Sequence, residues 1–318
     1  MSEAEGRWGE VWETTGGVYR VELGGGEQVD AFLRGRLKRE ARAGDRVVVG
    51  DRVRVVSEPG ADESTWTIEE VEPRRSQIVR RSGPGRKAKA VAANVDRLVV
   101  VASVVAPDPR PEVIDRLLVL AESDEVPAVL VLNKVDLPGG EASAKALSAI
   151  YRPIGYDVRT VSAETGEGLP PLAALLSEGV SAFVGPSGVG KSSLLNAIHP
   201  GLSLRTGDVS RRLQRGRHTT VSSRLIPLPG GGLVADTPGF ADVGVWGVGE
   251  SEVERCYPEI ARWAEQCRFR GCAHAGEPGC AVIEAIEAGE IAPSRLESFR
   301  LLRDEARADA RHGGRRNG

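Results

Sequence analysis

The segment 185–193 has the sequence GPSGVGKSS, and it constrains the fold of this chain more than any other stretch. It contains the phosphate-loop pattern G-x-x-x-x-G-K-[ST], between a short apolar run at 181–184 and a helix-like run at 192–198. A strand, a glycine-rich loop and a helix in this order direct backbone N–H groups and a helix N-terminus towards a phosphate. Lys191 is expected to reach the outer phosphates and Ser192 to ligate Mg²⁺. The predicted nucleotide-binding residues are Gly185, Pro186, Ser187, Gly188, Val189, Gly190, Lys191, Ser192 and Ser193.

A second motif, Asn133-Lys134-Val135-Asp136, follows an apolar strand-like run at 126–132. Its form is N-K-x-D, in which the carboxylate can accept hydrogen bonds from the N1–H and the exocyclic amine of guanine. Adenine lacks this pair of donors and would leave the Asp136 carboxylate unpaired. Alone, the tetrapeptide could equally be a polar turn at the end of a strand. Together with the phosphate loop and the later turn residues Ser162 and Ala163, it predicts that GTP and GDP are the ligands.

Two further segments supply candidate catalytic residues. Asp236-Thr-Pro-Gly239 has the form D-x-x-G, in which Asp236 would hold Mg²⁺ through water and the Gly239 N–H would contact the γ-phosphate. An arginine-rich loop before it ends in His218-Thr219-Thr220, and one threonine is expected to close on Mg²⁺, with Thr220 favoured over Thr219. His218 is either the residue that orients the attacking water or an RNA contact in a loop. The candidate catalytic residues are therefore Lys191, Thr220, Asp236, Gly239 and His218.

The order of these motifs along the chain is unusual. In ordinary small GTPases the phosphate loop comes first and N-K-x-D comes late, whereas here N-K-x-D precedes the phosphate loop and D-x-x-G comes last. This order predicts a circularly permuted α/β GTPase domain, which is feasible because domain termini lie close together on the surface. The residue after Gly239 is Phe240, which cannot orient water as a glutamine does, so slow intrinsic hydrolysis and an external activator are expected.

The N-terminal part, up to about residue 75, is typical of a small β-barrel. It contains several short β-rich runs separated by glycine turns, and in Arg52-Val-Arg-Val55 basic and apolar residues alternate. The spacing favours a five-stranded barrel of the oligonucleotide-binding (OB) type, with an SH3-like or other barrel without ligand as the alternative. Residues 74–89 then carry seven Lys and Arg without an acidic residue, which suits either phosphate contact or a solvated hinge.

The C-terminal part contains a pattern typical of a structural metal site. Cys267, Cys272, His274 and Cys280 lie within fourteen positions and are separated by tight-turn residues. A Cys₃His set predicts one closed, tetrahedral structural Zn²⁺, with free thiols as the alternative. Cys256 lies apart in a helix-like segment and is expected to be a core thiol.

Composition limits the cellular setting. The 318 residues carry a net charge of −3, and the N-terminus has neither the basic nor the apolar region of a secretory signal. No apolar stretch is long enough to span a membrane. A cytoplasmic protein is therefore expected, with no membrane or DNA partner.

With these motifs together, the chain resembles the bacterial family of ribosome small subunit-dependent GTPase A. The resemblance rests on Ala93-Asn-Val-Asp96, N-K-V-D, the phosphate loop, Arg217-His-Thr-Thr220, D-T-P-G-F and the zinc spacing, and it covers nearly the whole chain. It implies GTP hydrolysis stimulated by the small ribosomal subunit, a role in late subunit maturation, and contacts to ribosomal RNA. The alternatives are a P-loop kinase and a non-hydrolysing, GTP-dependent RNA-binding scaffold.

The expected architecture has three domains. An OB-type RNA-binding barrel spans 1–75, with 1–7 disordered, and a basic linker spans 76–90. The circularly permuted P-loop GTPase domain spans 91–243, and a helical zinc-binding domain with a basic tail spans 244–318. A monomer is expected.

Overall fold

The computed structural model describes residues 6–35, 37, 46–57, 66–80, 89–202, 223–236 and 248–314. The predictions for His218, Thr219, Thr220 and Gly239 lie outside these residues, as do those for 1–5, most of the basic linker and the last four residues of the tail. Within the described part, an N-terminal barrel is followed by a sheet flanked by helices and then by a group of C-terminal helices.

The N-terminal part forms a closed five-stranded barrel. Its strands are β1 (Arg7–Thr15), β2 (Val18–Glu22), β3 (Gln28–Leu33), β4 (Arg52–Ser57) and β5 (Trp66–Val71). β1 pairs with β2 and β4, β2 with β3, and β4 with β5, all antiparallel, and the parallel pair of β3 and β5 closes the ring. In β4, Val53 and Val55 are fully buried while Arg52 is exposed. The predicted small barrel is confirmed, and its five strands fit an OB fold.

The predicted basic linker contains regular structure. Strands β6 (Gln77–Arg80) and β7 (Lys89–Ala93) pair antiparallel, and Ile78 and Ala92 are buried in the core of the central part. Val49 of the N-terminal part forms a bridge with Ala92. Short apolar stretches therefore form paired strands within this segment, although its charge suggested a loop.

The central part is built on a mostly parallel sheet. Its strands are β8 (Arg97–Ser103), β9 (Ala128–Asn133), β10 (Asp157–Val161), β11 (Val180–Val184), β12 (Ser223–Pro227) and β13 (Leu233–Asp236). They lie in the order β10-β9-β8-β11-β13-β12, and only the β12–β13 pair is antiparallel. Leu98 and Val100 of β8 pack into one core, whereas Val99 and Val101 pack into the core on the opposite face. The continuous apolar run in β8 thus reflects a strand that is buried on both sides.

Four helices of the described chain connect these strands and cover the sheet. They are α1 (Pro111–Ser123), α2 (Gly140–Tyr151), α3 (Leu169–Leu175) and α4 (Lys191–Ile198). α4 begins directly after the phosphate loop, as the motif predicts.

The barrel and the central sheet are continuous through hydrogen bonds. The end of β1 pairs antiparallel with the start of β12, with Glu13 opposite Arg224 and Thr14 opposite Ser223. The barrel therefore contacts the strand that begins just after the arginine-rich segment containing Thr220. Nothing in the sequence pattern predicted this pairing.

The C-terminal part consists, in the described residues, of α5 (Glu250–Arg255), α6 (Pro258–Ala264), α7 (Ala281–Glu287) and α8 (Pro293–Gly314). Tyr257, Phe299 and Leu302 are fully buried in its core, which also includes Val119 from α1. The C-terminal helices therefore share a hydrophobic core with a helix of the central part. Among the described residues, no helix combines the length and apolar character needed to cross a bilayer.

Candidate nucleotide site and candidate metal centre

The phosphate loop connects β11 to α4 through a backbone that requires glycine. Gly185 has φ of +150°, and a Cβ built there would lie 2.2 Å from the Val101 carbonyl oxygen. Gly190 has φ of +99°, and its Cβ would lie 2.3 Å from Nδ2 of Asn133. Since L side chains avoid these φ values and no space exists for a Cβ, both positions exclude larger residues. The loop therefore lies close against the neighbouring strand ends, with its amides near the start of α4.

Lys191 and Ser192 are the first residues of α4, and both are buried. The Lys191 ammonium donates hydrogen bonds to the carbonyl oxygens of Gly185 at 2.6 Å and Pro186 at 2.8 Å. The ammonium is therefore held against the loop that would surround a bound phosphate. A positive charge and a hydroxyl at a helix N-terminus are suited to bind phosphate oxygens and Mg²⁺.

The guanine-recognition motif is hydrogen-bonded directly to the phosphate loop. Asn133, which is 1% exposed at the end of β9, donates from Nδ2 to the Val189 carbonyl at 2.9 Å. Its Oδ1 accepts a hydrogen bond from the Ala163 N–H at 3.2 Å. Lys134 donates from Nζ to the carbonyls of Gly188 at 2.6 Å and of Ala106. The structure thus brings together three segments that the sequence analysis predicted to form one site.

The remaining members of this motif have different environments. Val135 is buried and anchors the turn through its N–H, which donates to the Val161 carbonyl at 3.3 Å. Asp136 is exposed, so its carboxylate is accessible to a base. Partial burial lowers the pKa of Lys134, and the nearby Asp136 carboxylate opposes this shift. Ser162 is fully buried, and its hydroxyl accepts hydrogen bonds from the N–H groups of Glu164 and Thr165, which shape the turn.

Asp236 ends β13, which lies beside β11 in the parallel sheet. Ala182 is in register with Ala235, so Asp236 lies at the same carboxyl edge as the phosphate loop. Its Oδ2 accepts a hydrogen bond from Nε of Arg224 at 3.3 Å. Thr220, His218 and Gly239 lie outside the described residues. Of the candidate catalytic residues in the two predicted switch segments, the structure therefore describes Asp236.

One segment of the site, the loop that follows β8, was not predicted from the sequence. The Ala106 carbonyl accepts a hydrogen bond from Lys134, and Pro107 Cδ lies 3.7 Å from where a Cβ on Gly188 would be. The only available signal was its position, because the carboxyl end of a parallel strand commonly contributes to a ligand site.

The four predicted metal ligands form a compact cluster. Their ligand atoms, one each from Cys267, Cys272, His274 and Cys280, all lie within 4.8 Å of one another. His274 Nδ1 is 3.3 Å from Cys280 Sγ, and the Sγ atoms of Cys267 and Cys280 are 3.9 Å apart. Tetrahedral Zn²⁺ places N and S ligands about 3.5–3.8 Å from one another, so the donor set fits a structural zinc ion. Cys256 is not part of the cluster and is buried in the helical core.

The chain is similar to several known proteins. A family model described as RsgA GTPase matches residues 71–246, more than half of the chain. The small ribosomal subunit biogenesis GTPase RsgA of Gemmatimonas aurantiaca is 48% identical over 93% of this chain and 96% of that protein. The protein of the same name from Moorella thermoacetica is 43% identical over 89% of this chain and 92% of its own length.

Two solved structures are also similar. The crystal structure of YjeQ from Thermotoga maritima has a TM-score of 0.77 and 36% identity, covering 95% of this chain and 99% of its own. YloQ, described as a circularly permuted GTPase, has a TM-score of 0.74 and 29% identity, covering 96% and 97%. These matches extend over the barrel, the central sheet and the C-terminal helices, and they confirm the permuted order predicted from the motifs. This chain belongs to the RsgA GTPase family.

Proposed function

We propose that this chain hydrolyses GTP to GDP and phosphate, and that the small ribosomal subunit stimulates this reaction during late maturation of that subunit. The observation that carries the proposal is the hydrogen-bonded unit of the N-K-V-D motif and the phosphate loop, from Asn133 to Val189 and from Lys134 to Gly188. The names of the relatives, small ribosomal subunit biogenesis GTPases, support the choice of partner.

In the proposed mechanism the protein acts by positioning and by charge stabilisation. Lys191 and the N–H groups of residues 188–191 hold the phosphates, and Asp136 selects guanine. Ser192, Thr220 and Asp236 would hold Mg²⁺, directly or through water, and a bound Mg²⁺ would supply positive charge to offset the charge that develops on the phosphates. The Gly239 N–H contacts the γ-phosphate. His218 is the candidate for orienting water, since Phe240 has no group that can do so.

The decisive experiment is a measurement of phosphate release from GTP and from ATP, with and without purified small subunits. Slow GTP turnover that rises only with small subunits, and no turnover of ATP, is the expected result. Equal turnover of ATP would favour a P-loop kinase or another ATP-using enzyme, in which the guanine-recognition motif N-K-V-D would have no role. Absence of GTP turnover in a single-turnover assay with bound subunits would favour a GTP-dependent scaffold.

We assign the chain to an OB-type RNA-binding barrel at 1–75, a basic linker at 76–90, a permuted GTPase domain at 91–243 and a zinc-binding helical domain at 244–318. The family match ends at residue 246, which supports the last boundary. The structural Zn²⁺ is assigned to Cys267, Cys272, His274 and Cys280. We further propose that the protein acts as a monomer in the cytoplasm.

Replacing Asp136 with asparagine is expected to weaken GTP binding by about 10- to 150-fold. A hydrogen bond to a charged group contributes about 1.5–3 kcal/mol, and the amide cannot accept both guanine donors. Xanthosine triphosphate should bind this variant better than the wild type, because xanthine presents an acceptor where guanine presents its amine. Competition binding with both nucleotides checks the prediction, and unchanged GTP affinity would contradict the role of Asp136.

Contact of the C-terminal part with ribosomal RNA is supported by the loop between Cys267 and Cys272. Phe269 is 48% exposed, and the Arg268 guanidinium lies 5.4 Å from the centre of its ring. Arg268 and Arg270 are exposed, and neither forms an ion pair with another described residue. An exposed ring flanked by uncompensated positive charge suits an unpaired base and its phosphates.

Replacing Phe269 with alanine is therefore expected to weaken binding to small subunits by about 5- to 150-fold, since stacking contributes about 1–3 kcal/mol per base. Leu301→Ala is the matched control, because Leu301 is another exposed apolar residue of the same part, at 45% exposure. Co-sedimentation with small subunits at several salt concentrations measures the effect. Equal binding of the Phe269 variant and the control would exclude this loop as an RNA contact.

A further inference from the structure

The imidazole of His274 presents its two nitrogens to different partners. Nδ1 faces the thiols, at 3.3 Å from Cys280 Sγ and 3.7 Å from Cys267 Sγ. Nε2 is buried and forms no hydrogen bond with another described residue. Oε2 of Glu254 lies 3.5 Å from Nε2. The ring therefore lies between the ligand cluster and a carboxylate.

This arrangement determines which nitrogen carries the proton. An imidazole that binds a metal through Nδ1 must hold its proton on Nε2. His274 is only 1% exposed, so an Nε2–H without an acceptor would cost free energy. Metal-bound histidines generally donate this second N–H to a carboxylate or a carbonyl, which fixes the tautomer and the ring orientation. Glu254 is in place to be that acceptor.

We propose that Glu254 is a positioning residue of the metal centre, which orients His274 for zinc through its Nε2–H. The inference rests on the zinc site proposed above. Glu254 belongs to α5, so the contact joins the metal centre to the first described helix after Asp236. Formation of the centre would then hold α5 in place.

Other contacts hold the backbone of the ligand loop without Glu254. Arg300 and Arg303 of α8 donate to the carbonyls of His274 and Ala273, at 3.1 Å from Nε of Arg300 and 2.5 Å from Nη1 of Arg303. The Glu277 carboxylate accepts hydrogen bonds from the N–H groups of Ala273 and Ala275. None of these contacts involves Glu254. Its replacement should therefore change the orientation of the His274 ring and leave the backbone of the ligand loop in place.

The test compares Glu254→Ala and Glu254→Gln in the full chain, with Glu284→Ala as control, because Glu284 is an exposed glutamate on α7. Zinc affinity is measured by competition with a chromogenic chelator. Loss of an outer acceptor typically weakens metal binding by about 10- to 100-fold, and this is expected for the alanine variant. The zinc affinity of the glutamine variant should lie between those of the wild type and the alanine variant, because its amide oxygen accepts the same hydrogen bond without the charge.

Two further readouts separate positioning from a general structural role. The visible spectrum of the cobalt-substituted protein should change in the alanine variant, and the stability of the metal-free protein should equal that of the wild type. Wild-type zinc affinity and spectrum in both Glu254 variants would overturn the inference while leaving the zinc site intact. If the wild type bound no zinc, the proposed site itself would fail.

Discussion

Replacing Lys191 with alanine is expected to lower the kcat of GTP hydrolysis by about 10²- to 10³-fold, as removal of one preorganised donor from a transition state typically does. Lys191 is 9% exposed and its ammonium is held by the carbonyls of Gly185 and Pro186, so the position of the charge is set before nucleotide binds. A charge fixed in this way stabilises the transition state without reorganisation. Phosphate release in the presence of saturating small subunits measures the effect.

A suitable control for this prediction is Lys145→Ala, which removes an exposed lysine from α2. It should leave kcat within a factor of two of the wild type. Thermal unfolding of both variants shows whether Lys191→Ala still folds. A folded Lys191 variant that retains stimulated turnover would contradict the assigned role of this lysine.

The parts of the site that are local in sequence were predictable. The phosphate loop and the N-K-V-D motif each lie where a strand ends. Both positions could be predicted because the glycines and the apolar runs are visible in the sequence. The four metal ligands were predictable for the same reason, since their spacing and the turns between them are local. The direct bonds between segments, such as Asn133 to Val189, follow once two parallel strands are neighbours.

The contacts between distant segments were not predictable from pattern. The pairing of Glu13 with Arg224 depends on how the barrel meets the central sheet, and neither strand contains a signal for the other. Glu254 lies in an ordinary amphipathic helix, and its proximity to His274 depends on the packing of α5 against α8. Long-range packing of this kind leaves no periodic pattern or motif in the sequence.

The interface between the central part and the C-terminal helices contains a buried ionic cluster that the sequence also did not reveal. Arg295 of α8, at 1% exposure, donates to Asp115 of α1 at 2.7 Å and to Glu259 of α6 at 2.6 Å. Tyr151 of α2 donates to the same Asp115 oxygen at 2.8 Å. The Arg295 guanidinium also lies 4.3 Å from the ring centre of Tyr257. One buried cation therefore pairs with two buried carboxylates at this interface.

Burial is the main factor that raises the pKa of Asp115, and the attraction of Arg295 is the largest factor that opposes this shift. Without the guanidinium, the pKa of Asp115 should rise further. The folded variant would then retain protons that the unfolded chain releases, so its stability should fall as the pH rises through this range. The loss relative to the wild type should be smaller at acidic pH, where the Asp115 carboxyl is neutral.

Replacing Arg295 with methionine is accordingly expected to lower the free energy of unfolding by about 3–5 kcal/mol at neutral pH, because two buried carboxylates lose their partner. Arg116→Gln is the matched control, since Arg116 pairs with Glu305 across the same α1–α8 interface but is partly exposed. The control substitution should lower the free energy of unfolding by less than about 1 kcal/mol. Urea unfolding of the three proteins, followed by circular dichroism at neutral and acidic pH, measures both effects. A loss for Arg295→Met that matched the control, or that did not diminish at acidic pH, would mean that shape rather than charge holds this interface together.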